Sequence, residues 1–548
     1  MPAPHIIFTP QTPLPPHGIL SAGPNPRKGK PDEKPRRQRI WQRCHADLRL
    51  CFAVMAGYFP DHVEYSRHFS GPHPSRSVLT MPTAPHFRTT ALIVASALFM
   101  EQLDGTVLAT ALPTMARTFQ ISPLYMSVAL TSYMLSLAVF IPASGKIADR
   151  FGACRVFCAA IFVFTLGSIL CGQANNLPVL VLARLLQGFG GAMMVPVARL
   201  ILFRSVPKEE MIAAMAWFLV PALIGPVLGP PLGGAIVTYL SWRWIFYINV
   251  PIGVIGAVLA IIFIHDDSEP VRVRFDWLGL ATSGISLACL MFGLEMVSRG
   301  VTSPFASLSI IGAGLVGGGL YILHAKSHPA PILDIRLMKV ATFRLSVLAG
   351  SLTRITGGAI PFLLPMMMQL GFGMSAAQSG LVTFTGAAGS LLMKASATPI
   401  LRRFGFRNTL IWNGALATAC IAICAAFRPE WPLFAIYGVL LVSGFFQSLQ
   451  FTAYNTIAYA DISSQRMGDA ISFYTTIQQL MLSLGICVSA AALHLSVVAH
   501  GRQHAMLGDF STAFLVVTAI SLMASPLCSR LPKNAGAAMT GHRIASKE

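Results

Sequence analysis

Apolar runs of about twenty residues follow one another along most of this chain, with short polar loops between them. A helix of about 20 apolar residues is long enough to cross the hydrocarbon core of a bilayer. The runs lie at 89–112, 124–144, 156–173, 178–202, 211–237, 243–265, 277–297, 306–324, 343–370, 376–400, 408–427, 432–457, 468–496 and 510–529. The pattern therefore predicts an all-α polytopic membrane protein with fourteen transmembrane helices.

Composition and loop charge agree with this prediction. Hydrophobic residues make up 54% of the chain and charged residues only 11%, which excludes a soluble globular protein. When alternate loops are assigned to opposite sides of the membrane, most Lys and Arg residues fall on the side of Lys146, Arg150 and Arg155. Because basic loops stay in the cytoplasm, this asymmetry places both termini there. It also explains the net charge of +19 without nucleic-acid binding.

Residues 1–86 precede the first apolar run and differ from the rest of the chain. They are rich in Pro, Arg and His and include a basic run from Arg27 to Arg39. Such a segment buries too little apolar surface to fold, so we expect a disordered, basic cytoplasmic extension, with a lipid-binding or nucleic-acid-binding arm as the alternative. The stretch from Met81 also has the form of a transporter N-terminus, which makes Met81 a second candidate start.

Charged side chains inside the apolar runs mark candidate transport residues, because ionisable groups are costly in lipid and face protein or water. Glu101 and Asp104 lie three residues apart in the first run and therefore share a helix face. Two carboxylates this close in a poorly solvated place cannot both stay ionised easily, so one is expected to exchange a proton. Arg184 is the natural counter-charge, with Gln187 one turn away on the same side. The alternative is that these groups only tie helices together.

Two glycine-containing segments lie on either side of Arg184 in the sequence. The first is the loop GKIADRFGACR, here called the GKIADRFG loop, with Gly145, Asp149, Arg150, Gly152 and Arg155. The second is GPVLGPPLGG in the fifth run, with Gly225, Gly229, Pro230, Gly233 and Gly234. Glycines at four-residue spacing let helices approach closely, and prolines bend the helix. The fifth helix is therefore expected to pack tightly and to bend.

In this order the segments LDGTVLATALP, GKIADRFG, RLLQGFGGA, GPVLGPPLGG and WRWIFYINVPIG resemble the motifs of the major facilitator superfamily. The resemblance is to its drug:proton antiporter group with fourteen spans, the EmrB/QacA-like branch. It implies the major facilitator fold: two six-helix bundles, at 87–265 and 343–530, with two inserted central helices in 266–342 and a cytoplasmic tail at 531–548. A weak internal repeat agrees, because the FG pair of GKIADRFG reappears in PILRRFGFR, with Arg402 where Asp149 stands.

The resemblance also implies roles for the residues named above. Asp104, Glu101 and Arg184 are expected to couple transport to protons, and GPVLGPPLGG is the motif that marks exporters in this family. The GKIADRFG loop is expected to gate the transporter. In this interpretation Asp149 pairs across the bundle interface and latches one conformation, while Arg150 and Arg155 face anionic headgroups.

The substrate cavity is expected to combine polar groups with adaptable apolar side chains. Its candidate residues are Glu101, Gln187, Met367, Gln447 and Gln478. Methionine is flexible and suits unlike hydrophobic substrates, although Met in a membrane helix is more often a packing or lipid-facing residue. The sequence identifies no particular substrate.

Together these features predict proton-coupled efflux of hydrophobic or cationic drugs and toxic compounds across the inner (plasma) membrane. The expected partners are the substrate, protons and the lipid bilayer, and participation of a periplasmic adaptor protein stays open. No GxxxxGKS or GxxxxGKT sequence is present, so ATP is not the expected energy source. The cysteines lack His or carboxylate neighbours at metal-ligand spacing, so no metal or cofactor is expected. A metabolite symporter of the same superfamily is the alternative, and a membrane-embedded enzyme is disfavoured because no catalytic motif is present.

Overall fold

The computed structural model describes residues 87–206, 211–264, 275–299, 303–463, 466–532 and 535–536. Within these ranges the chain is helical and contains no strand, which confirms the predicted all-α class. The predictions for the extension 1–86 and for most of the tail 531–548 concern residues outside these ranges, as do the first residues of the segment 266–342.

The first half of the described chain forms a series of long helices and one short one. A turn of 3₁₀ helix, Pro123–Met126, separates the first two. The helices are α1 Phe87–Phe119, α2 Ser127–Phe151, α3 Ala153–Gln173, α4 Leu177–Ser205, α5 Met211–Tyr239, the single turn α6 Trp244–Tyr247, and α7 Asn249–Phe263.

The second half begins with a helical hairpin and continues with a further series of helices. A π-helical turn, Met367–Gly371, extends α10, and a 3₁₀ turn, Ile335–Lys339, precedes it. The helices are α8 Trp277–Arg299, α9 Pro304–Ser327, α10 Ala341–Met366, α11 Ala376–Cys424, α12 Leu433–Ile457, α13 Met467–Ala499, α14 Leu507–Leu522 and α15 Ala524–Cys528.

The helices agree with the predicted count of fourteen spans. Eleven helical segments among the described residues are long and apolar enough to cross a membrane. Helix α5 covers the fifth predicted span, and α11 covers the tenth and eleventh, because its backbone leaves helical geometry at Gly405. Eleven segments plus these three make fourteen.

Local sequence sets several helix ends. The Asn176 side chain caps α4 by accepting a hydrogen bond from the Val179 N–H over 3.0 Å, and Pro178 stands in the first turn, where no N–H is needed. Ser375 and Gln378 form a reciprocal capping box at the start of α11. These ends follow from short-range chemistry and lie close to the predicted span limits.

Helices α1–α7 pack as one bundle and α10–α15 as a second, with the hairpin α8–α9 between them in sequence. Two seams join the bundles: α2 packs against α13, and α5 packs against α11. The hairpin lies at the first seam, where α8 contacts both α2 and α13. This is the predicted arrangement of two six-helix bundles with an inserted pair.

Glycines bring the two bundles into direct backbone contact at the α5–α11 seam. A Cβ atom on Gly234 would overlap the main chain at Ala376, and a Cβ on Gly380 would overlap the carbonyl group of Pro230. Larger residues at either position would force the helices apart. The last glycine of GPVLGPPLGG therefore contributes to the contact between the bundles.

The two FG pairs of the predicted repeat occupy equivalent places. Gly152 ends α2 with φ of 93°, and Gly405 divides α11 with φ of 71°. Both backbones turn in a region that L side chains rarely adopt, so glycine permits each turn between two helices. The structure thus supports the weak repeat seen in the sequence.

A large apolar cluster joins the bundles at the end of the molecule opposite the GKIADRFG loop. It combines Leu112 and Met115 of α1 with Phe362 of α10, Met367 of the π turn and Phe510 of α14. Toward the loop end, two clusters each stay within one bundle and a third follows the α2–α13 seam. The apolar contacts between the two bundles therefore lie mainly at the end of the molecule away from the GKIADRFG loop.

Candidate functional site

A buried ion pair connects α1 to α4 within the first bundle. The Nη1 atom of Arg184 donates to Oδ2 of Asp104 over 2.6 Å, and neither side chain is exposed. The two residues are therefore brought together as the sequence predicts. Each charge alone is costly in lipid, so their pairing offsets part of the desolvation cost of both.

Two amide side chains complete the surroundings of Asp104. Its Oδ1 accepts hydrogen bonds from Nε2 of Gln187 over 2.8 Å and from Nδ2 of Asn249 over 3.1 Å. The carboxylate thus accepts three hydrogen bonds, from α4 and α7. Asn249 was not among the predicted site residues, although a lone Asn in the apolar stretch YINVPIG was the available signal.

The Arg184 guanidinium group also ties α4 to α2. Its Nε donates to the carbonyl oxygen of Ala129 over 2.9 Å, and its central carbon lies 4.3 Å from the ring centre of Tyr133. Its Nη1 donates a second hydrogen bond, to Oε1 of Gln187, over 2.6 Å. One arginine therefore holds three helices of the bundle together, α1, α2 and α4.

Glu101 lies one turn before Asp104 but outside this network. Its Oε2 atom is buried and accepts no hydrogen bond from any described residue. Its main electrostatic neighbour is Arg199, near the end of α4 that faces the GKIADRFG loop. The two carboxylates of the first span thus have different surroundings, because Asp104 has three hydrogen-bond donors, one of which is its counter-charge Arg184.

The glycine stripe of α5 packs directly on the helix that carries both carboxylates. A Cβ atom on Gly229 would overlap the side chain of Thr106, and a Cβ on Gly233 would overlap that of Thr110. A Cβ on Gly225 would also stand too close to the α1 backbone. Any change in the position of α5 therefore acts on the Asp104 helix through backbone-level contacts.

The segment named the GKIADRFG loop is helical up to Phe151, the last residue of α2, and Gly152 alone separates α2 from α3. Its Asp149 forms a pair that differs from the expected latch. Asp149 accepts a hydrogen bond from Nη2 of Arg204 over 2.7 Å, and both side chains are about one third exposed. Arg204 belongs to the last turn of α4, so this pair lies within the first bundle, and the latch of Asp149 across the bundle interface stays a prediction. The physical reason is that α2 and α4 pack side by side and end together. Arg150 and Arg155 are exposed, and a Cβ atom added at Gly145 would meet no atom within 4 Å.

Lys146, a residue of the same segment, contacts the connector that leads to the second bundle. Lys146 Nζ donates to the carbonyl oxygen of Ala330, in the connector after α9, over 3.2 Å. Further along, Arg466 pairs with Asp334 of the same connector over 2.8 Å. The segment between the hairpin and α10 is thus held from both bundles.

The remaining residues predicted for the substrate cavity are distributed unevenly. Gln187 and Met367 are fully buried, the first in the Asp104 network and the second in the apolar cluster between the bundles. Gln478 accepts a hydrogen bond from Arg354, and Gln447 has a buried Nε2 without a hydrogen-bond partner among the described residues. In this conformation Gln187 and Met367 therefore contribute to packing.

A carboxylate that the sequence reasoning missed lies on the inserted hairpin. Glu295 of α8 is 3% exposed and accepts hydrogen bonds from Ser127 and Thr131 of α2, over 2.6 and 3.3 Å. Cys487 of α13 lies 3.3 Å from its Oε2. The hairpin is thereby bonded to both bundles at their seam. The signal was a single carboxylate within the run 277–297.

A histidine–aspartate group lies at the loop end of the hairpin and was also missed. Asp276 accepts hydrogen bonds from the N–H groups of Gly279 (2.7 Å) and Ile332 (3.2 Å) and pairs with His324 Nε2 at 2.9 Å. Burial raises the pKa of Asp276, whereas the Gly279 N–H and His324 lower it, and the net pKa lies below the usual aspartate range. With His328 it forms the one group of three possible metal ligands in the described ranges, within 4.8 Å of one another. Because backbone N–H groups use both Asp276 oxygens, the carboxylate holds the connector in place.

Comparison with known families and proteins agrees with this architecture. Residues 94–486 match the family model described as Major Facilitator Superfamily. A proposed multidrug resistance protein, MdtD, of Escherichia coli O6:H1 (strain CFT073) is 36% identical over 449 residues, which are 81% of this chain and 94% of that protein. The protein of the same name from Klebsiella pneumoniae (strain 342) is 35% identical over 453 residues, again 81% and 94%.

Solved structures show the same fold at lower sequence identity. The crystal structure of the nucleoside transporter NupG aligns with a TM-score of 0.56 and 15% identity, over 81% of this chain and 98% of that chain. An identity this low shows the fold alone.

Proposed function

This chain belongs to the major facilitator superfamily, and on that premise we propose that it exports drugs and other toxic compounds in exchange for protons. The multidrug resistance name of relatives 35–36% identical supports drugs as the substrate class. The observation that carries proton coupling is the buried Arg184–Asp104 pair, because a carboxylate held by a counter-charge inside a membrane can link protonation to helix movement.

In the proposed cycle Asp104 is the group that takes up the proton. Protonation removes the negative charge that holds Arg184, Gln187 and Asn249 at hydrogen-bond distance. Since these residues connect α1 to α4 and α7, loss of the charge changes the relative free energies of the bundle's conformations. The ionised carboxylate accordingly favours the conformation described above.

The α5 glycine stripe gives this change a route to the second bundle. Gly229 and Gly233 contact α1, while Gly234 contacts α11. A movement of α1 relative to α4 is therefore transmitted through α5 to the α5–α11 seam. In the proposed direction the cavity opens to the cytoplasm, binds substrate with the carboxylates deprotonated, and releases it outside when a proton binds.

We place the GKIADRFG loop and both termini in the cytoplasm and the protein in the inner (plasma) membrane. The exposed Arg150 and Arg155 then lie at the level of anionic headgroups, as the basic-loop rule expects. The apolar cluster around Met115 and Phe362 closes the outer end in this orientation. Glu101, near the middle of α1, supplies negative potential to the cavity.

Transport in everted membrane vesicles tests the proposal. When the vesicle interior is more acidic than the medium, wild-type vesicles should accumulate a hydrophobic cation such as ethidium. A protonophore should abolish the accumulation. Asp104→Asn vesicles with equal protein content should not accumulate it. Substrate movement in the same direction as the protons would contradict antiport and indicate a symporter.

A further inference from the structure

A second fully embedded arginine, Arg354 of α10, is surrounded by neutral groups. Its Nη2 donates to Oδ1 of Asn455 over 2.9 Å and to Oε1 of Gln478 over 3.0 Å, and its Nη1 donates to the hydroxyl of Tyr474 over 3.3 Å. The residue is 4% exposed. No carboxylate in the described parts of the chain forms an ion pair with it, and its Nε is buried without a hydrogen-bond partner.

Aromatic rings lie against this guanidinium group. The central carbon of Arg354 is 4.9 Å from the ring centre of Phe451 and 4.8 Å from that of Tyr474. Cation–π contacts of this kind hold the guanidinium plane in position but leave its charge of +1 in place. The arrangement is therefore an oriented positive group with one free donor.

The charge of Arg354 has no evident purely structural explanation. Arginine within a membrane span is costly and is found where it meets a carboxylate, a water-filled pathway or a ligand. Arg184 has its carboxylate, whereas Arg354 has amides and a phenol that a neutral residue would satisfy as well. By comparison, the second-bundle cation Lys394 lies on an exposed face and donates to Thr452 over 3.0 Å.

The position of Arg354 connects it to the interface between the bundles. The ring of Tyr474 lies 5.6 Å from that of Tyr459, which interacts electrostatically with both Arg354 and Arg199 of the first bundle. Arg199 in turn interacts with Glu101, and its Nε is buried without a hydrogen-bond partner in the described residues. Two guanidinium groups and one carboxylate are thus connected by electrostatic interactions that cross from one bundle to the other.

We propose that Arg354 binds the acidic group of an organic anion, so that the exported compounds include amphiphilic carboxylates. Its free Nε, together with a neighbouring Nη donor released from an amide, matches the two oxygens of a carboxylate. The apolar body of such a compound packs against Phe451 and the adjoining aromatic rings. This inference specifies a substrate class for the proposed export function and extends the sequence-based expectation of hydrophobic or cationic compounds.

Binding to the purified full-length protein in detergent tests the proposal without any gradient. The probes are 2-naphthoate and 2-naphthamide, which differ in charge but hardly in size, with affinity measured by equilibrium dialysis. Wild type should prefer the carboxylate. Arg354→Gln should lower naphthoate affinity by about tenfold to one-hundredfold, because that is the contribution of hydrogen bonds to a charged group. It should leave naphthamide affinity nearly unchanged.

Two further variants keep the result interpretable. Lys394→Gln removes a cation from the exposed face of the same bundle and should leave the preference intact. Arg354→Lys keeps the charge without the planar fork and should retain part of the preference, which provides a folded comparison if Arg354→Gln is unstable. Wild type that binds both probes equally or neither, or an Arg354→Lys variant with undiminished preference, would overturn the proposal.

The same binding data separate this inference from proton coupling. A wild-type protein that prefers naphthoate in detergent but shows no gradient-driven transport in vesicles would contradict antiport alone. Conversely, active ethidium export with no charge preference in binding would contradict the anion site alone.

Discussion

The two bundles each contain a buried arginine, and the two arginines have opposite surroundings. Arg184 has the Asp104 carboxylate at 2.6 Å. Arg354 contacts two amide oxygens, a phenol and two aromatic faces. The first pair has no net charge while Asp104 is ionised, whereas no carboxylate of the described residues forms an ion pair with Arg354.

The contrast indicates how proton coupling and substrate binding can be divided between the bundles. A balanced pair changes its net charge only when a proton arrives, so it is suited to respond to protonation. An unbalanced cation attracts an external anion, so it is suited to respond to substrate. Under the two proposals made above, the first bundle responds to protons and the second to substrate, and the α5–α11 seam connects them.

The largest expected effect comes from making the first site insensitive to protons. Asp104→Asn keeps the shape and most hydrogen bonds of the side chain but fixes it as neutral. We expect uphill efflux and substrate-induced proton release to be lost, while substrate binding in detergent persists. Glu101→Gln should give a milder defect, biased toward cationic substrates. Proton release that survives in Asp104→Asn would move the coupled proton elsewhere, with Glu101 the next candidate.

The free energy of unfolding should distinguish the two arginines. Arg184→Gln leaves Asp104 buried without its counter-charge and should destabilise the protein by about 3–5 kcal/mol. Arg354→Gln leaves only neutral groups, which can bond one another, and should cost about 1–2 kcal/mol. Unfolding in detergent measures both.

A double variant checks the electrostatic origin of that difference. Asp104→Asn combined with Arg184→Gln removes both charges and should recover part of the stability lost in Arg184→Gln alone. Equal losses for the Arg184 and Arg354 variants, or no recovery in the double variant, would show that packing rather than charge distinguishes the two sites.

The coupling route between the bundles is tested at the α5–α1 contact. Gly229→Ala places a Cβ against Thr106, so it should lower the free energy of unfolding by about 1–3 kcal/mol through overpacking and should lower efflux. The larger Gly229→Leu should abolish export in a protein that is still inserted in the membrane. Gly105→Ala is the matched control, because it adds a Cβ next to Thr106 on α1 but that Cβ has no atom within 4 Å. Thr106→Ala should restore part of the loss in Gly229→Ala, because it removes the hydroxyl group but leaves the Thr106 Cβ 2.7 Å from the added Cβ. Parental export by Gly229→Leu would contradict a role for the stripe.

The smallest expected effect concerns a carboxylate outside the membrane-spanning segments. The pKa of Asp276 is lowered in the folded protein, so its stabilisation is fully present above the ordinary aspartate pKa of about 4 and is lost as pH falls through the folded value. Asp276→Asn should therefore remove about 1 kcal/mol near neutral pH and flatten the acid limb of the stability profile. An unchanged acid limb in thermal unfolding would show that other carboxylates set it.

Much of the fold could be read from local pattern. The length of each apolar run determines a span, the FG pairs mark two glycine-dependent turns, and Ser375 with Gln378 marks the start of α11. The family also followed from the order of its motifs. These features depend on residues close together in the chain, so no knowledge of packing was needed.

For the site, the sequence identifies the residues that are costly to embed in lipid. Asp104 and Arg184 are charged groups in apolar runs, and a charge there requires a partner or water. The partner of each charge follows instead from the packing of helices that are distant in the chain. Asn249 reaches Asp104 from 145 residues away, Asp149 pairs within its own bundle, and Arg354 meets neutral acceptors. Hydrophobic length is a property of one helix, whereas the choice of partner depends on how helices distant in sequence pack and rotate against one another.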